Sequence, residues 1–191
     1  MQNQNNKSPE SLNHLKPLTN DWHYLDFRDG RHDKNYIEWK YFNFKQKDVA
    51  GYIIYFILDP ERKTNVGGAR LLARVFHRQK FLGSIRRIPI SKVQFDAVSV
   101  GVDMDGAKIL EKDQYHYEIS GEVDNLSWDL HYKQQVPSIE AFADVNPGVM
   151  RWEKVDWLVK MPRAEVSGVI KTNDETIEVN AIGYSDTNWG E

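Results

Sequence analysis

Short segments in which apolar and polar residues alternate fill most of the chain from Tyr36 onward. Almost no stretch repeats apolar residues at the spacing of three and four that indicates an amphipathic helix. The alternation therefore predicts an all-β domain built of antiparallel strands. The predicted strands cover residues 37–44, 51–58, 69–77, 93–102, 115–122, 126–132, 164–171 and 176–182. Eight or more strands can close a barrel, so we expect a β-barrel or sandwich of about 8–10 strands.

Turn chemistry between these segments supports the antiparallel order. Asp105-Gly106 suits a primed hairpin turn, and Asp124-Asn125 joins two alternating runs. A long irregular connection containing three Pro and Gly residues is predicted over residues 133–151, where it forms either a lid or a crossover.

The chain of 191 residues is long enough for one domain with a hydrophobic core. Residues 1–21 are polar and rich in Asn and Gln, and they predict a flexible N-terminal tail before a β-barrel domain at 22–191. The tail lacks the apolar core of a signal peptide, which favours a cytoplasmic protein. The longest apolar run, 49–58, is too short to cross a bilayer, so no membrane span is expected.

Composition and motifs argue against several classes of site. The formal charge of −3 disfavours nucleic acid as a partner. The chain has no cysteine, which rules out disulfides, thiolate metal ligands and a cysteine nucleophile, and fits a reducing compartment. The histidines have no metal-ligand spacing, and neither a serine-hydrolase elbow nor a nucleotide-binding glycine loop occurs, so we expect no metal and no cofactor. Arg86 and Arg87 are adjacent on a strand and point to opposite faces, which favours a solvated pair over an anion site.

Aromatic residues make up 12% of the chain, with six tryptophans and nine tyrosines. Such side chains fill cores, but they also line cavities for apolar ligands and turn their π surfaces toward cationic centres. For each single aromatic residue, core packing is the more frequent role. The candidates for contact with a hydrophobic small-molecule substrate are Trp39, Tyr41, Tyr55, Trp128 and Trp189.

The last segment, 183–190, places an acid between two aromatic residues, with a glycine at each end. Beside an aromatic lumen, desolvation would raise the pKa of Asp186 and make it a general acid, with Tyr184 to orient it. The alternative is that Asp186 caps a turn while Tyr184 and Trp189 close the end of the barrel. The residues alone favour the turn.

Three stretches resemble the lipocalin-like superfamily that includes carotenoid 1,2-hydratase (hydroxyneurosporene synthase), AttH-type, tocopherol cyclase-like and Svf1-like proteins and the fungal decalin-forming Diels–Alderases. Residues 36–43 are similar to the first-strand Glu-Trp-Trp-Tyr-Phe pattern, and residues 117–130 are similar to the central hairpin. The stretch 157–190 ends in a segment that resembles the signature Gly-Tyr-x-Asp-His-Asn-Trp-Gly. The resemblance covers about residues 22–190 and implies a lipocalin-like antiparallel barrel.

Two positions depart from the pattern: Thr187 replaces the histidine after the aspartate, and Lys40 replaces the second tryptophan of the first strand. In the hydratase branch the matching Trp, Tyr and Asp handle alkene protonation, which the resemblance maps to Trp157, Tyr184 and Asp186. Loss of the histidine is expected to weaken that chemistry. Because family members usually carry two such domains, we expect either a natural single-domain member or the first half of a larger protein. A second lipocalin-like domain or a homodimer would then complete the pocket.

The resemblance implies a cofactor-free cyclase, pericyclase (Diels–Alderase-like) or hydratase-type enzyme in natural-product biosynthesis, acting on a hydrophobic polyene, terpenoid or polyketide in the barrel lumen. In one mechanism Asp186 protonates an alkene while Trp157 shields the carbocation. In the other, the barrel holds a folded conformer for a pericyclic reaction and no proton moves. A non-catalytic binder or carrier of a lipid or isoprenoid is the alternative function.

Overall fold

A computed structural model describes the chain over residues 20–24, 36–59, 67–141 and 155–190. Thirteen strands lie in these ranges. They are β1 (Ile37–Lys45), β2 (Val49–Leu58), β3 (Gly68–His77), β4 (Lys80–Leu82), β5 (Ile85–Ile88), β6 (Val93–Phe95), β7 (Val102–Met104), β8 (Ala107–Asp113), β9 (His116–Val123), β10 (Leu126–Gln134), β11 (Ile139–Glu140), β12 (Val155–Lys171) and β13 (Thr176–Gly190). A short 3-10 helix, Ile90–Lys92, precedes β6.

All thirteen strands belong to one antiparallel sheet, which confirms the predicted all-β class. The strand order is β4-β3-β2-β1-β13-β12-β10-β9-β8-β7-β6, with β5 paired to β3 and β11 paired to β12. Within the described residues this path has two ends, so the sheet curls as a half-barrel rather than closing on itself. Because β13 pairs with β1, the first and last strands are neighbours in the middle of the strand order.

The predicted strand over 93–102 is wrong, because β6 and β7 are separated by a loop at 96–101. In this loop the Asp96 carboxylate accepts a hydrogen bond of 2.9 Å from the backbone N–H of Val98. The Ser99 hydroxyl accepts one of 3.0 Å from Gly101. Short polar side chains that bind the backbone in this way compete with a strand ladder. The total also exceeds the expected 8–10 strands, since β4, β5 and β11 have only two to four residues, too few to show alternation.

The two predicted turns are confirmed by the backbone. Asp105 and Gly106 join β7 to β8 with φ angles of 53° and 96°, as a primed turn requires. Asp124 joins β9 to β10 with a φ of 54°. The predicted connection over 133–151 holds the short strand β11, and its residues 142–150 lie outside the described part of the chain.

The inner face of the curled sheet forms the core. Alternate residues of β1 and β2 are buried, in the period of two that a half-buried strand requires. The Tyr55 hydroxyl crosses the interior from β2 and donates a hydrogen bond of 2.8 Å to the carbonyl oxygen of Lys108 on β8. The Phe42 ring makes edge contacts with those of Tyr117 and Tyr132, at centroid distances of 6.4 and 5.2 Å. Side chains from opposite walls therefore meet inside the half-barrel.

Residues 20–24 cover one end of this core. The buried indole of Trp22 donates a hydrogen bond of 2.9 Å to the carbonyl oxygen of Val100 and packs edge-on against Phe95 at 5.3 Å. Asn20 donates a hydrogen bond of 2.7 Å to the Tyr117 hydroxyl. Residues 20 and 22 thus contact the barrel.

Candidate functional site

The strand β13 divides the sequence-predicted site residues between the two faces of the sheet. Successive side chains of a strand point to opposite faces. Ser185, Thr187 and Trp189 are buried on the inner face, with the core. Tyr184 and Asp186 lie on the outer face. The alternative interpretation of Asp186 as a turn cap is wrong, because it lies within β13, four residues from the end of the strand.

Strand pairing brings the outer-face candidates together. Asp186 is paired with Tyr41 on β1, and Asn188 is paired with Trp39 on β1 and with Trp157 on β12. Paired residues share a face of the sheet. Trp39, Tyr41, Trp157, Tyr184 and Asp186, which the sequence spreads over almost 150 positions, therefore form one group. We call this group the outer-face site.

The ladder between β12 and β13 is interrupted beside Asp186. Leu158 pairs with Thr187, and the next pair is Met161 with Ser185, so no residue of β12 pairs with Asp186. Pro162, which has no N–H to donate, lies in the second of two register shifts on β12. Bulges of this kind are frequent beside active sites, because they redirect side chains and open the ladder. The bulge leaves Asp186 without a register partner on β12.

Asp186 is 9% exposed, and its carboxyl group is held by neighbours on β13. The Tyr184 hydroxyl donates a hydrogen bond of 2.7 Å to Asp186 Oδ2, and Asn188 Nδ2 lies 3.4 Å from Asp186 Oδ1. Burial raises the pKa of Asp186 above its ordinary 3.8, although hydrogen bonding from the surrounding phenol, indole and amide groups lowers it. Desolvation is thus the dominant influence, as expected of a carboxyl group in an apolar setting.

Aromatic rings surround this carboxyl on the outer face. Tyr41 stacks on Tyr52 at a centroid distance of 6.0 Å and meets Tyr184 edge-on at 6.1 Å, while Trp39 stacks on Phe56 at 5.8 Å. Burial and the nearby carboxyl raise the pKa of Tyr184, which keeps its hydroxyl protonated and able to donate. Tyr52, Phe56 and Asn188 were not among the predicted site residues. Tyr52 and Phe56 could have been found from their spacing on β2, where both occupy the face opposite the core.

The remaining predicted ligand contacts, Tyr55, Trp128 and Trp189, lie on the inner face, opposite to Asp186. Trp128 Nε1 donates a hydrogen bond of 3.4 Å to the Tyr55 hydroxyl, and both side chains are buried in the core. The Trp189 ring stacks on His23, with centroids 3.7 Å apart and the planes 3° from parallel. These three residues pack the interior and its end.

The two departures from the family pattern contact each other on the inner face. Lys40 Nζ donates a hydrogen bond of 2.8 Å to Thr187 Oγ1, which in turn donates one of 3.1 Å to the carbonyl oxygen of Trp39. Both side chains are buried. Thr187 therefore faces away from Asp186, and the residue at position 187 is part of a different network.

A buried carboxylate, Glu38, balances the Lys40 ammonium at 3.1 Å. It also accepts hydrogen bonds of 2.7 Å from the Tyr36 hydroxyl and of 2.9 Å from the backbone N–H of Tyr24. Burial alone would raise the pKa of Glu38, but the attraction of Lys40 and the bonds from His23 and Tyr36 outweigh it and lower the pKa to about 2. This network ties residues 20–24 to the first strand.

Other features of the described residues do not add to the outer-face site. Two open clefts of about 380 and 460 Å³ are lined by none of the eight predicted site residues. Among the described residues no group of three or more His, Asp or Glu side chains could hold a metal ion. The same ranges contain no helix long and apolar enough to cross a membrane.

Comparison with known proteins places the chain by its fold. No protein-family model and no curated protein matches it. An AttH-like protein from Nitrosomonas europaea is similar in structure, with a TM-score of 0.61 and 16% identity over 86% of this chain and 54% of that chain. CghA with Sch210972 has a TM-score of 0.58 and 13% identity, over 81% of this chain and 46% of that chain. A further structure of CghA gives a TM-score of 0.57.

These likenesses establish the class of the molecule, which is an antiparallel lipocalin-like half-barrel. The fold expected from the resemblance is therefore confirmed. The chain spans about half the length of the solved structures that it matches.

Proposed function

We propose that the protein is a cofactor-free cyclase or hydratase-type enzyme that acts on a hydrophobic polyene, terpenoid or polyketide at the outer-face site. The observation that carries the proposal is a nearly buried carboxyl, Asp186, among aromatic rings that suit an apolar ligand and a developing cation. The structure of CghA with Sch210972 supports it, because a protein of the same fold holds a small molecule.

The geometry supports the proton-transfer mechanism best. Because the Tyr184 hydroxyl donates to Asp186 Oδ2, the neutral form of this acid would carry its transferable proton on Oδ1. Transfer of this proton to an alkene carbon forms a C–H bond from the π electrons and leaves a carbocation on the adjacent carbon. The rings of Trp39 and Tyr41 lie beside the acid and stabilise that cation with their π faces. A second alkene or a water then supplies the electron pair, and loss of a proton returns Asp186 to its neutral form.

The pericyclic mechanism needs the same ring-lined surface but no acid. In that case the aromatic residues hold reacting ends of the substrate close together, an entropic effect that can reach about 7–11 kcal/mol. Solvent deuterium separates the two. Proton transfer from Asp186 in D2O places deuterium on a carbon of the product, whereas a pericyclic reaction incorporates none.

The test uses the full chain, a panel of linear polyenes and terpenoids, and Asp186→Asn. Wild-type protein is expected to convert at least one substrate with deuterium incorporation, and Asp186→Asn to lose roughly 100-fold or more of the turnover. The control is Asp129→Asn, which changes an exposed carboxylate on β10 and should leave turnover unchanged. If native mass spectrometry recovers every bound lipid unchanged, the proposal of an enzyme is rejected and a carrier function is favoured.

A further inference from the structure

One edge of the sheet is strongly basic although the chain as a whole is acidic. Residues 70–92 contain seven Lys and Arg and no Asp or Glu, whereas the formal charge of the chain is −3. These residues form β3 from Arg70 onward, β4, β5 and the short helix after them. We call them the basic edge. Their charge is thus concentrated at the β4 and β5 end of the strand order.

Large apolar side chains protrude from the outer face of the basic edge. Phe81 is 75% exposed, Ile85 is 52% exposed and Phe76 is 41% exposed. Phe76 and Phe81 are paired across β3 and β4, with ring centroids 5.2 Å apart. An exposed pair of phenylalanines costs solvation free energy and commonly marks an interaction surface.

Exposed cations surround these apolar residues. Arg78 and Lys80 lie in or next to the turn between β3 and β4, and Arg87 is exposed on β5. Arg78 also pairs with Glu175 at 3.2 Å, an ion pair at the surface that contributes little and leaves the arginine 75% exposed. Arg86 points the other way and binds the carbonyl oxygens of residues 104 and 105.

Protection of the sheet edge explains the charges but not the rings. Natural proteins place Lys and Arg on edge strands to prevent pairing with other chains. Exposed phenylalanines would work against that role, because they promote association. Cations combined with exposed aromatic and aliphatic side chains are instead typical of proteins that bind an anionic lipid surface, where the cations meet headgroups and the apolar side chains enter the interface.

An apolar row leads from the basic edge to Asp186 along the outer face. Ile85 pairs with Leu72, Leu72 with Ile54, Ile54 with Tyr41, and Tyr41 with Asp186. Four strand spacings make this row about 19 Å long. A lipophilic molecule leaving a bilayer at Ile85 would meet side chains of continuous apolar character up to the outer-face site.

We propose that the basic edge binds the surface of an anionic lipid bilayer, with Phe76, Phe81 and Ile85 entering the interface and Arg78, Lys80 and Arg87 on the headgroups. This surface goes beyond the proposed reaction. Its binding needs no substrate, so vesicle binding and turnover succeed or fail separately.

The experiment is cosedimentation of the full chain with vesicles of phosphatidylcholine alone or with about 30% phosphatidylglycerol. Wild-type protein should partition onto the anionic vesicles and be released by about 0.5 M salt. Lys80→Glu and Arg87→Glu should each lower the partition coefficient by about fivefold or more, since one interfacial cation corresponds to roughly that factor. Phe81→Ser should lower it as well, without a change in Tm because the ring is largely exposed.

The matched controls are Val98→Ser, an exposed apolar residue in the loop between β6 and β7, and Lys133→Glu, an exposed cation on β10. Both should bind vesicles as the wild type does. Equal loss in the control and edge variants would overturn the assignment, as would no binding to anionic vesicles. Tighter binding to a DNA duplex than to the vesicles would also overturn it and assign the cations to nucleic acid.

Discussion

At the scale of single residues, Asp186 and Thr187 show how one step along a strand separates two chemistries. Asp186 lies on the outer face with Tyr184, and Thr187 lies on the inner face with Lys40. A histidine at position 187 would share the direction of Thr187, because side-chain direction follows from position in the strand. We expected that the absence of this histidine would weaken proton transfer by Asp186. The contacts of Asp186 do not support that expectation, because none of them involves residue 187.

Replacing Asp186 by Asn should stabilise the protein at neutral pH. A carboxyl whose pKa is raised by folding contributes full stability below its unfolded pKa of 3.8 and loses it as the pH rises through the folded value. Asn cannot ionise, so Asp186→Asn should gain roughly 0.5–2 kcal/mol over the wild type at pH 7 and less at pH 4. Urea unfolding at both pH values measures this, with Asp129→Asn as the exposed control. A difference that does not change with pH would contradict a desolvated Asp186.

Removal of the Thr187 hydroxyl should weaken the inner network. Thr187→Val leaves the buried Lys40 ammonium without an acceptor at 2.8 Å, and the loss of a bond to a charged group costs about 1.5–3 kcal/mol. Thr176→Val, at the exposed start of β13, should stay within about 0.5 kcal/mol of the wild type. Guanidinium unfolding compares the two. Equal free energies of unfolding for the two variants would mean that the hydrogen bond between Lys40 and Thr187 does not stabilise the fold.

At the scale of elements, β13 determines the site because it pairs with both β1 and β12. Its residue Gly183 permits this close fit. A Cβ at this position would contact a methyl group of Val166 and approach the carbonyl oxygen of Asn43 to 2.5 Å. The same carbonyl accepts a hydrogen bond of 3.1 Å from the Tyr132 hydroxyl. Atoms of β1, β10 and β12 therefore surround a position on β13 that has no room for a side chain.

Gly183→Ala should consequently destabilise the fold by about 1–3 kcal/mol, the usual range for overpacking in a filled interior. Gly101→Ala is the comparison, because its added Cβ would meet only side-chain atoms, at 3.1 Å or more. It should cost less. Thermal unfolding of both variants decides between them, and a larger loss for Gly101→Ala would contradict the packing described for β13.

At the scale of the whole molecule, a buried ionic network joins the N-terminal residues to the barrel. Glu38 binds Lys40 and the backbone of residues 23 and 24, and Trp22 lies over the Lys40 ammonium at 4.9 Å. Breaking a buried pair by removing one charge leaves the other uncompensated. The position of residues 20–24 over the end of the core thus depends on the charge of Glu38.

Glu38→Gln should lower stability at pH 7 by about 3–5 kcal/mol, because Lys40 loses its partner. Folding lowers the pKa of Glu38 to about 2. The stability that ionised Glu38 contributes is therefore fully present above its unfolded pKa of 4.5 and is lost as the pH falls through about 2. Acid titration of Tm should therefore show a decline between these values in the wild type that is absent in the variant. Glu122→Gln, at an exposed position on β9, should keep the wild-type profile. A decline of equal size in Glu38→Gln would place the acid sensitivity elsewhere.

Much of the architecture was predictable because period-two burial is local. Each of the long strands β1, β2, β3 and β10 follows from its own alternation. The loop at 96–101 was missed because its Asp and Ser bond to nearby backbone groups. The second half of β13 was missed for a related reason: glycines at 183 and 190 and short polar side chains gave the appearance of a turn.

By itself, the sequence determined the all-β class and the turns at 105–106 and 124–125, since these depend on local pattern. The resemblance to a family motif nominated Asp186, Tyr184 and Trp157 as candidates. Only the tertiary structure decided which face each residue occupies and which strands are neighbours. The pairing of β13 with β1 and β12 brought Trp39, Tyr41 and Trp157 around Asp186, and left Tyr55, Trp128 and Trp189 inside. The physical reason is that a strand specifies two faces, whereas the register between distant strands specifies which of their side chains meet.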